Sequence, residues 1–320
     1  MTTWNAQTGR VAVVLLNYNG HDDTRHCLRS LAGATYHPLD VVVCDNASRS
    51  PGLDTLEVEF PAVRFVRNPV NLGFAAGCNV GIAAARENGP THVVLLNNDT
   101  LVTPGFLEPL VQALDRDVRA GVAGGTILQW DGSATDRIWY AGGSLSRLKG
   151  EIVRPGFGER FVPDAHPDVV ETGFVSGCLA MIPVRVLDRV GPLDEDFFFG
   201  VEDLEFAWRL EQHGLRSLYV PNSVIWHRSG RSRTLDAGEV HRSYTAKILL
   251  QRKRRRRLAY LAWLAAYTLY MRTTGMHSAA ERLAGLGYSA GQTRDIRASI
   301  RRALDDAWRG ELDTRSGLSA

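Results

Sequence analysis

An open α/β fold, a mostly parallel, doubly wound sheet flanked by helices, is predicted by three features of the sequence. Short apolar runs alternate with helical segments over about the first hundred residues, the pattern of strands joined by crossover helices. The stretch at 91–100, THVVLLNNDT, carries an unalternating apolar run that stops abruptly in two amides and a carboxylate. Other apolar runs also end in polar residues, so Asn17, Asp45, Asn68 and Asn97 to Asp99 converge on one sheet edge. In open α/β sheets the carboxyl edge is where ligands bind.

The elements follow in order. Residues 11–17 (VAVVLLN) read as a buried strand, and 21–31 as a helix whose Cys27, Leu28 and Leu31 share a face. Residues 39–44 form a second strand ending in Asp45-Asn46-Ala47-Ser48, and 63–66 a third, followed by Arg67-Asn68-Pro69. Residues 71–86 open with Asn-Leu-Gly-Phe and continue in small residues, which predicts a loop entering a helix packed closely on the sheet. Residues 92–96 are the central strand, 104–114 a helix and 121–128 another strand. Between 130 and 167 the pattern loosens into Gly, Pro and mixed charge, which reads as a hairpin or mobile loop over the sheet edge. Residues 171–182 read as one strand containing Ser176-Gly177-Cys178, and 183–190 as a short helix. The loop 193–200 (LDEDFFFG) precedes a helix at 201–213 stopped by Gly214. Residues 216–221 and 223–226 read as two strands, the second delivering His227. The character changes after about Gly230, which predicts an α/β domain over 1–235 and a helical extension over 236–320.

Composition excludes several classes. With 320 residues, 44% hydrophobic, and a formal net charge of +2, the chain can bury a substantial core and has no global bias toward nucleic acid. Cys27, Cys44, Cys78 and Cys178 lack the close spacing of zinc sites and read as reduced core thiols of a cytoplasmic protein. The apolar run at 11–16 is too short for a signal core and no basic segment precedes it, so export is not expected.

Three acidic groupings are candidates for chemistry: Asp45, Asp99 and the pair Glu202-Asp203. Each has a structural alternative. Asp99 would also serve as an Asx turn, acids at a helix start are favoured by its dipole, the three phenylalanines would pack in a core, and His227 would be a satisfied buried histidine. As a set they are more specific. Asp99 and His227 together suit Mg²⁺ or Mn²⁺ completed by phosphate oxygens and water, rather than structural zinc. Asp203 would then accept a proton from an acceptor hydroxyl. Gly177, Phe199 and Glu202 are assigned to an acceptor or sugar pocket, because aromatic faces beside carboxylates suit a sugar.

The order VAVVLLNYN at 11–19, Asp45-Asn46-Ala47-Ser48, Asn71-Leu72-Gly73-Phe74 with Asn79, Asn97-Asn98-Asp99, Ser176-Gly177, Gly200 to Asp203 and His227 resembles family 2 glycosyltransferases, most closely their rhamnosyltransferase-like branch. The resemblance covers about 11–227. It implies a GT-A-type fold, a nucleotide-sugar donor (a dTDP- or UDP-sugar), a divalent metal and inversion at the anomeric carbon. By the same match Asp45 would bind the pyrimidine base, Asn71 and Gly73 would line the nucleotide pocket with Asn17, Asn97 and Asn98, Asp99 would bind metal with His227, and Asp203 would be the base. The branch implies dTDP-L-rhamnose and a cell-surface polysaccharide or lipid-linked glycan acceptor. One departure is Asn97, which stands where many relatives carry the first acid of the DXD motif. A nicotinamide dehydrogenase is disfavoured because Asn17-Tyr18-Asn19-Gly20 offers no G-x-G-x-x-G turn. A sugar nucleotidyltransferase and an inactive, glycosyltransferase-like scaffold are the remaining alternatives.

Six consecutive basic residues at 252–257 precede the apolar run LAYLAWLAAYTLYM at 258–271. A helix of that length spans about 21 Å, short of the ~30 Å hydrocarbon core. Two readings stay open: peripheral contact of 252–271 with the inner face of the cytoplasmic membrane, its tyrosines and tryptophan in the interface, or a buried or homo-oligomer helix. Residues 278–308 are helical and amphipathic in pattern.

Overall fold

The computed structural model describes residues 9–146, 152–163, 168–228, 237–275 and 289–315. Its contacts divide the chain into two compact units, one of Met1–Leu145, Ile152–Glu195 and Glu202–Arg231, the other of Ser146–Glu151, Asp196–Val201 and Ser232–Ala320.

The first unit is built on a ten-stranded sheet. β1 (Val11–Asn17), β2 (Leu39–Asp45), β3 (Arg64–Arg67), β4 (His92–Asn97), β6 (Ala120–Trp130) and β12 (Arg216–His227) run in one direction, with β5 (Thr100–Val102), β7 (Ala134–Tyr140), β10 (Val170–Thr172) and β11 (Leu179–Pro183) opposed. The order is β10-β12-β6-β11-β4-β1-β2-β3, with β5 pairing β12 and β7 pairing β6. Two short strands, β8 (Ser144–Leu145) and β9 (Ile152–Val153), pair separately. The helices are α1 (His21–Leu31), α2 (Leu53–Glu59), α3 (Phe74–Arg86), α4 (Leu107–Arg116), α5 (Val184–Val190) and α6 (Glu202–Gln212). The small residues of α3 have a steric reason. A Cβ on Gly81 would stand 2.4 Å from Val14 Cγ1, and one on Gly77 would stand 2.6 Å from Leu16 Cδ1, so only glycine lets the helix approach β1 this closely.

The expected mostly parallel sheet is present, with antiparallel β11 inserted between β4 and β6. Two expectations are corrected. The strand expected at 171–182 is two strands of different partners, β10 on β12 and β11 on β4, and Ser176 to Cys178 lie in the turn between them. Conversely, the two strands expected at 216–226 are one strand, β12, with a register shift between Val220 and Val224 where Pro221 interrupts the ladder. The loosely patterned 130–167 region contains β7, β8 and β9, and its residues 147–151 and 164–167 lie outside the described ones. All four cysteines are free and buried, and burial pushes the thiols of Cys27 and Cys44 up to about 12 and about 11.

The second unit consists of α7 (Ala237–Arg254), α8 (Arg257–Tyr270), a π-helical turn (Met271–Gly275) and α9 (Ala290–Arg309). α9 starts at a capping box of Ser289 and Gln292 and ends at Gly310, whose φ of 82° is open to glycine. Residues 278–288 of the helix expected at 278–308 lie outside the described residues. Val240, Ile248, Leu264, Ile300 and Leu304 form the core together with Tyr260, Trp263 and Tyr267. Those aromatics are therefore inside, not on a membrane-facing side, because α8 uses its largest side chains to pack on α7 and α9. The basic run is also not one exposed block: α7 ends within it, Lys253 pairs with Asp196 at 2.6 Å, and Arg255 lies over the Trp263 ring. Among the described residues no helix is long and apolar enough to cross a membrane.

Candidate active site

Because the main strands run in one direction, their carboxyl ends place Asn17, Asp45, Asn97 and His227 on the same edge of the sheet. The ends of β1, β2 and β4 are wired together. The fully buried Asn17 amide donates to Asp45 Oδ1 (2.6 Å) and Ser48 Oγ (3.2 Å), and its oxygen accepts from Thr24 (2.9 Å). Asn98 reaches the same centre, donating to Thr24 Oγ1 at 2.9 Å and to Asn17 Oδ1 at 3.3 Å. Asp45 also accepts from the Ser48 backbone (3.0 Å) and hydroxyl (2.6 Å), which orients its carboxylate. Thus Asn17 and Asn98 use their amides within the protein, and Asp45 is 5% exposed.

A second network shapes the Asn71–Gly73 loop. Asn46, buried at the end of β2, donates to Asn71 Oδ1 (2.7 Å) and the Gly73 carbonyl (3.0 Å), and accepts from Leu72 N–H (3.0 Å) and Asn68 (3.1 Å). Asn71 in turn accepts from Gly73 N–H at 3.0 Å, and Gly73, with φ 85°, enters α3. Asn46 is the residue whose role sequence reasoning missed. Its motif was visible, but nothing local showed that it reaches a loop 25 positions away.

Asp99 meets His227 through strand pairing. β5 pairs antiparallel with the end of β12, setting Thr100 opposite His227, and the Arg228 N–H donates to the Asp99 carbonyl at 2.8 Å. His227 Nε2 lies 3.1 Å from Asp99 Oδ1, with the imidazole buried and the carboxylate 31% exposed. His227 Nδ1 is buried with no hydrogen-bond partner among the described residues, and the Trp139 ring stands edge-on to the imidazole at 4.6 Å. One carboxylate and one imidazole are a donor set fitting a hard divalent cation that draws its remaining ligands from phosphate and water. Among the described residues no group of three or more His, Cys, Asp or Glu is placed to hold a metal by itself.

Asp203 occupies the first turn of α6, after Gly200 (φ 84°) and Val201, whose φ of 67° is a conformation that β-branched residues rarely adopt. Its carboxylate accepts from Leu204 N–H (2.8 Å) and from Gly177 N–H (3.4 Å), so the turn between β10 and β11 reaches the helix start. Apolar Phe74, Val175, Ile182 and Phe206 line a pocket beside Glu202 and Asp203. Loss of water there pushes the Asp203 carboxyl up to about 6 from its ordinary 3.8, against the lowering effect of those two N–H groups. Asn79 on α3 ties down Leu193, donating to its carbonyl at 2.9 Å and accepting its N–H at 3.0 Å. The three phenylalanines all group with the second unit, Phe197 and Phe198 buried and Phe199 52% exposed.

Known proteins resemble this one in both sequence and fold. A family model, Glycosyl transferase family 2, matches residues 12–190. The N-acetylglucosaminyl-diphospho-decaprenol L-rhamnosyltransferase of Mycobacterium tuberculosis is 26% identical over 243 residues, covering 70% of this chain and 78% of that protein. The dTDP-rhamnosyl transferase RfbF of Shigella flexneri is 24% identical over 194 residues, covering 59% of this chain and 60% of that one. Among solved structures, GalNAc-T7 with UDP, GalNAc and Mn²⁺ superposes with a TM-score of 0.62 at 18% identity over 76% of this chain, which spans only 48% of that one. The mannosyltransferase PcManGT from Pyrobaculum calidifontis, in complex with GDP-Man and Mn²⁺, gives a TM-score of 0.57 at 18% identity over 95% of this chain and 88% of that one. These likenesses are to GT-A glycosyltransferases, and with more than half of its length matched by the family model, the chain belongs to glycosyl transferase family 2, a family of inverting glycosyltransferases that includes rhamnosyltransferases.

Proposed function

We propose that the protein transfers L-rhamnose from dTDP-L-rhamnose to a lipid-linked or cell-surface glycan. The observation that carries this reading is the meeting of Asp99 and His227 at the edge that also presents Asp45 and the Asn71–Gly73 loop. The rhamnosyltransferase names of the Mycobacterium tuberculosis and Shigella flexneri relatives support the donor, and the former supports a lipid-linked acceptor. In this reading Asp45 contacts the base, Asn71 and Gly73 line the nucleotide pocket, and Asn17, Asn97 and Asn98 shape its floor. Asp99 and His227 would hold Mg²⁺ or Mn²⁺, which when bound neutralises the departing diphosphate. Asp203 takes the proton of the acceptor hydroxyl as that oxygen bonds to the anomeric carbon and the bond to the diphosphate breaks on the opposite face, inverting the centre. Gly177 positions Asp203 through its N–H, and Glu202 borders the acceptor pocket.

A donor screen following nucleoside-diphosphate release, with Mg²⁺ or Mn²⁺ added, tests this directly. dTDP-L-rhamnose should be the preferred donor over UDP-sugars, and Asp99→Ala should remove both turnover and its dependence on metal. An Asp99→Ala enzyme fully active in chelator would sink the metal assignment, and preference for a UDP-sugar would sink the rhamnose assignment.

The second unit supports peripheral membrane contact by a different face from the one its aromatic residues suggested. Leu258, Leu261 and Leu269 are 81%, 38% and 65% exposed, and Ala262, Ala265 and Ala266 share their side of α8. Exposed Arg256, Arg257 and Arg272 flank this stripe, a pattern suited to an anionic bilayer surface. Flotation on anionic vesicles should weaken at high salt and in Leu261→Gln/Leu269→Gln. Vesicle-independent dimerisation lost in the same variant would assign the face to a second subunit instead.

A further inference from the structure

Beside the Asp99–His227 pair the first unit holds a cation whose charge has no carboxylate counterpart among the described residues. Arg154 follows β9, and its Cζ sits 4.2 Å from the Phe157 ring centroid and 5.3 Å from that of Trp139. Trp139 is the ring that stands against His227, so Arg154 is one aromatic ring away from the candidate metal pair. Among the described residues no carboxylate forms an ion pair with Arg154 and no carbonyl accepts from it. The partly withdrawn guanidinium is held less basic than usual by loss of water.

The platform is built rather than incidental. The loop carrying Arg154 and Phe157 is fastened to β7 by Gly158 N–H to the Ile138 carbonyl (2.8 Å), Ile138 N–H to the Glu159 carbonyl (2.9 Å) and the Arg137 guanidinium to the Gly158 carbonyl (3.0 Å). β7 is fastened to the strand of His227 by the Trp226 indole N–H, which donates to the Thr135 carbonyl at 2.9 Å. Two rings lie within cation–π range of the guanidinium carbon and no acid or carbonyl among the described residues accepts a hydrogen bond from it, so its N–H groups are the part able to bind. An arginine held by two rings, partly desolvated and without a carboxylate partner among the described residues, matches a phosphate oxygen pair in both charge and geometry.

We propose that Arg154, held against Trp139 and Phe157, is a diphosphate-binding subsite next to the Asp99–His227 pair. The proposal deepens the glycosyltransferase reading and rests on it only for the source of the phosphate, which is either the donor nucleotide or a lipid-linked acceptor. Trp139 and Phe157 act as positioning residues, fixing the guanidinium plane.

Calorimetric titration of the full chain at constant Mg²⁺ separates the sources, using inorganic pyrophosphate, dTDP and farnesyl diphosphate as probes. Loss of a charge-assisted pair of hydrogen bonds predicts a roughly tenfold or greater weakening in Arg154→Gln. Arg154→Lys should restore part of it, and Phe157→Leu, at a half-exposed ring, should weaken the same probe without affecting the fold. Weakened dTDP binding assigns the subsite to the donor. Weakened farnesyl diphosphate binding with dTDP unchanged assigns it to the acceptor. If pyrophosphate binding falls in Arg154→Gln but the wild-type chain never binds dTDP, the subsite stands and the nucleotide-sugar reading fails. The proposal is overturned if a folded Arg154→Gln, checked by circular dichroism, binds all three probes within twofold of wild type, or if wild type binds none of them.

Discussion

The two halves of the main sheet treat polar residues in opposite ways. On the β1–β2–β4 side, Asn17, Asp45, Asn46, Asn71 and Asn98 are joined by short hydrogen bonds within the protein, many of them buried. On the β6–β7–β12 side, His227 keeps a buried nitrogen without a partner among the described residues, and Arg154 is contacted by rings rather than carboxylates. The first arrangement satisfies its own polar groups and is rigid without ligand. The second leaves one buried histidine nitrogen and the Arg154 guanidinium without a polar partner among the described residues, which suits contact with a charged substrate. In the proposed reading a preformed pocket wall and reactive groups have different hydrogen-bonding needs, and this fold meets them at two ends of one sheet edge.

The largest test falls on the reactive side. Asp203→Asn should lower turnover by ~10²–10⁴, the range for a lost general base, with nucleotide affinity kept. Full turnover in that variant would remove Asp203 from the mechanism and leave Glu202 as the next residue to test. The pH dependence has a definite sign. A base works only when ionised, and the Asp203 carboxyl is held near 6, so kcat/KM should fall about tenfold per pH unit below about 6 and level off above it. Stability should run the other way over the same window. The folded state retains the proton that the unfolded chain releases near 3.8, so this group's contribution falls as pH rises from about 4 to about 6 and is constant beyond. An acid limb unchanged in Asp203→Glu and Asp203→Asn would assign the titration to another group.

A smaller effect is expected on the wired side. Asn46→Ala removes four hydrogen bonds and leaves the Leu72 N–H and the Gly73 carbonyl to find other partners, which should cost about 1–3 kcal/mol in urea unfolding and weaken dTDP binding. Unchanged stability would mean that water replaces the amide and the wall is not rigid. The smallest effect belongs to the outside of the same half. Arg67 pairs with exposed Asp54, and Asp54→Asn should leave the urea midpoint where it is, since exposed ion pairs contribute little. A clear shift there would mean that surface charge, not the buried amides, stabilises this half.

Local sequence signals carried the first half of the molecule almost entirely. Apolar runs at 11–17, 39–44 and 92–96 form strands because each is buried on both faces, and the small residues after Asn71 form a helix close to β1 because Gly77 and Gly81 have no room for a Cβ. These properties are set by hydrophobic periodicity and by side-chain size, which are local. The polar ends of those strands were legible for the same reason: in parallel strands, chain direction alone puts them on one edge.

What only the tertiary structure decided depends on partners distant in sequence. Whether 171–182 is one strand or two depends on β4 and β12 competing for it, and periodicity does not record a change of partner. The inward turn of Tyr260, Trp263 and Tyr267 depends on α7 and α9, because a helix apolar on every side has no preferred face until neighbours choose one. The identities of Asp99 and His227 were visible as types, yet their 3.1 Å approach exists only because β5 pairs with the end of β12. Arg154 carries no signal in a loosely patterned segment, since its meaning comes from Trp139 and Phe157 and from having no carboxylate partner among the described residues. Side-chain chemistry and chain direction are written residue by residue; the pairing that brings two residues together is a property of the whole packed sheet.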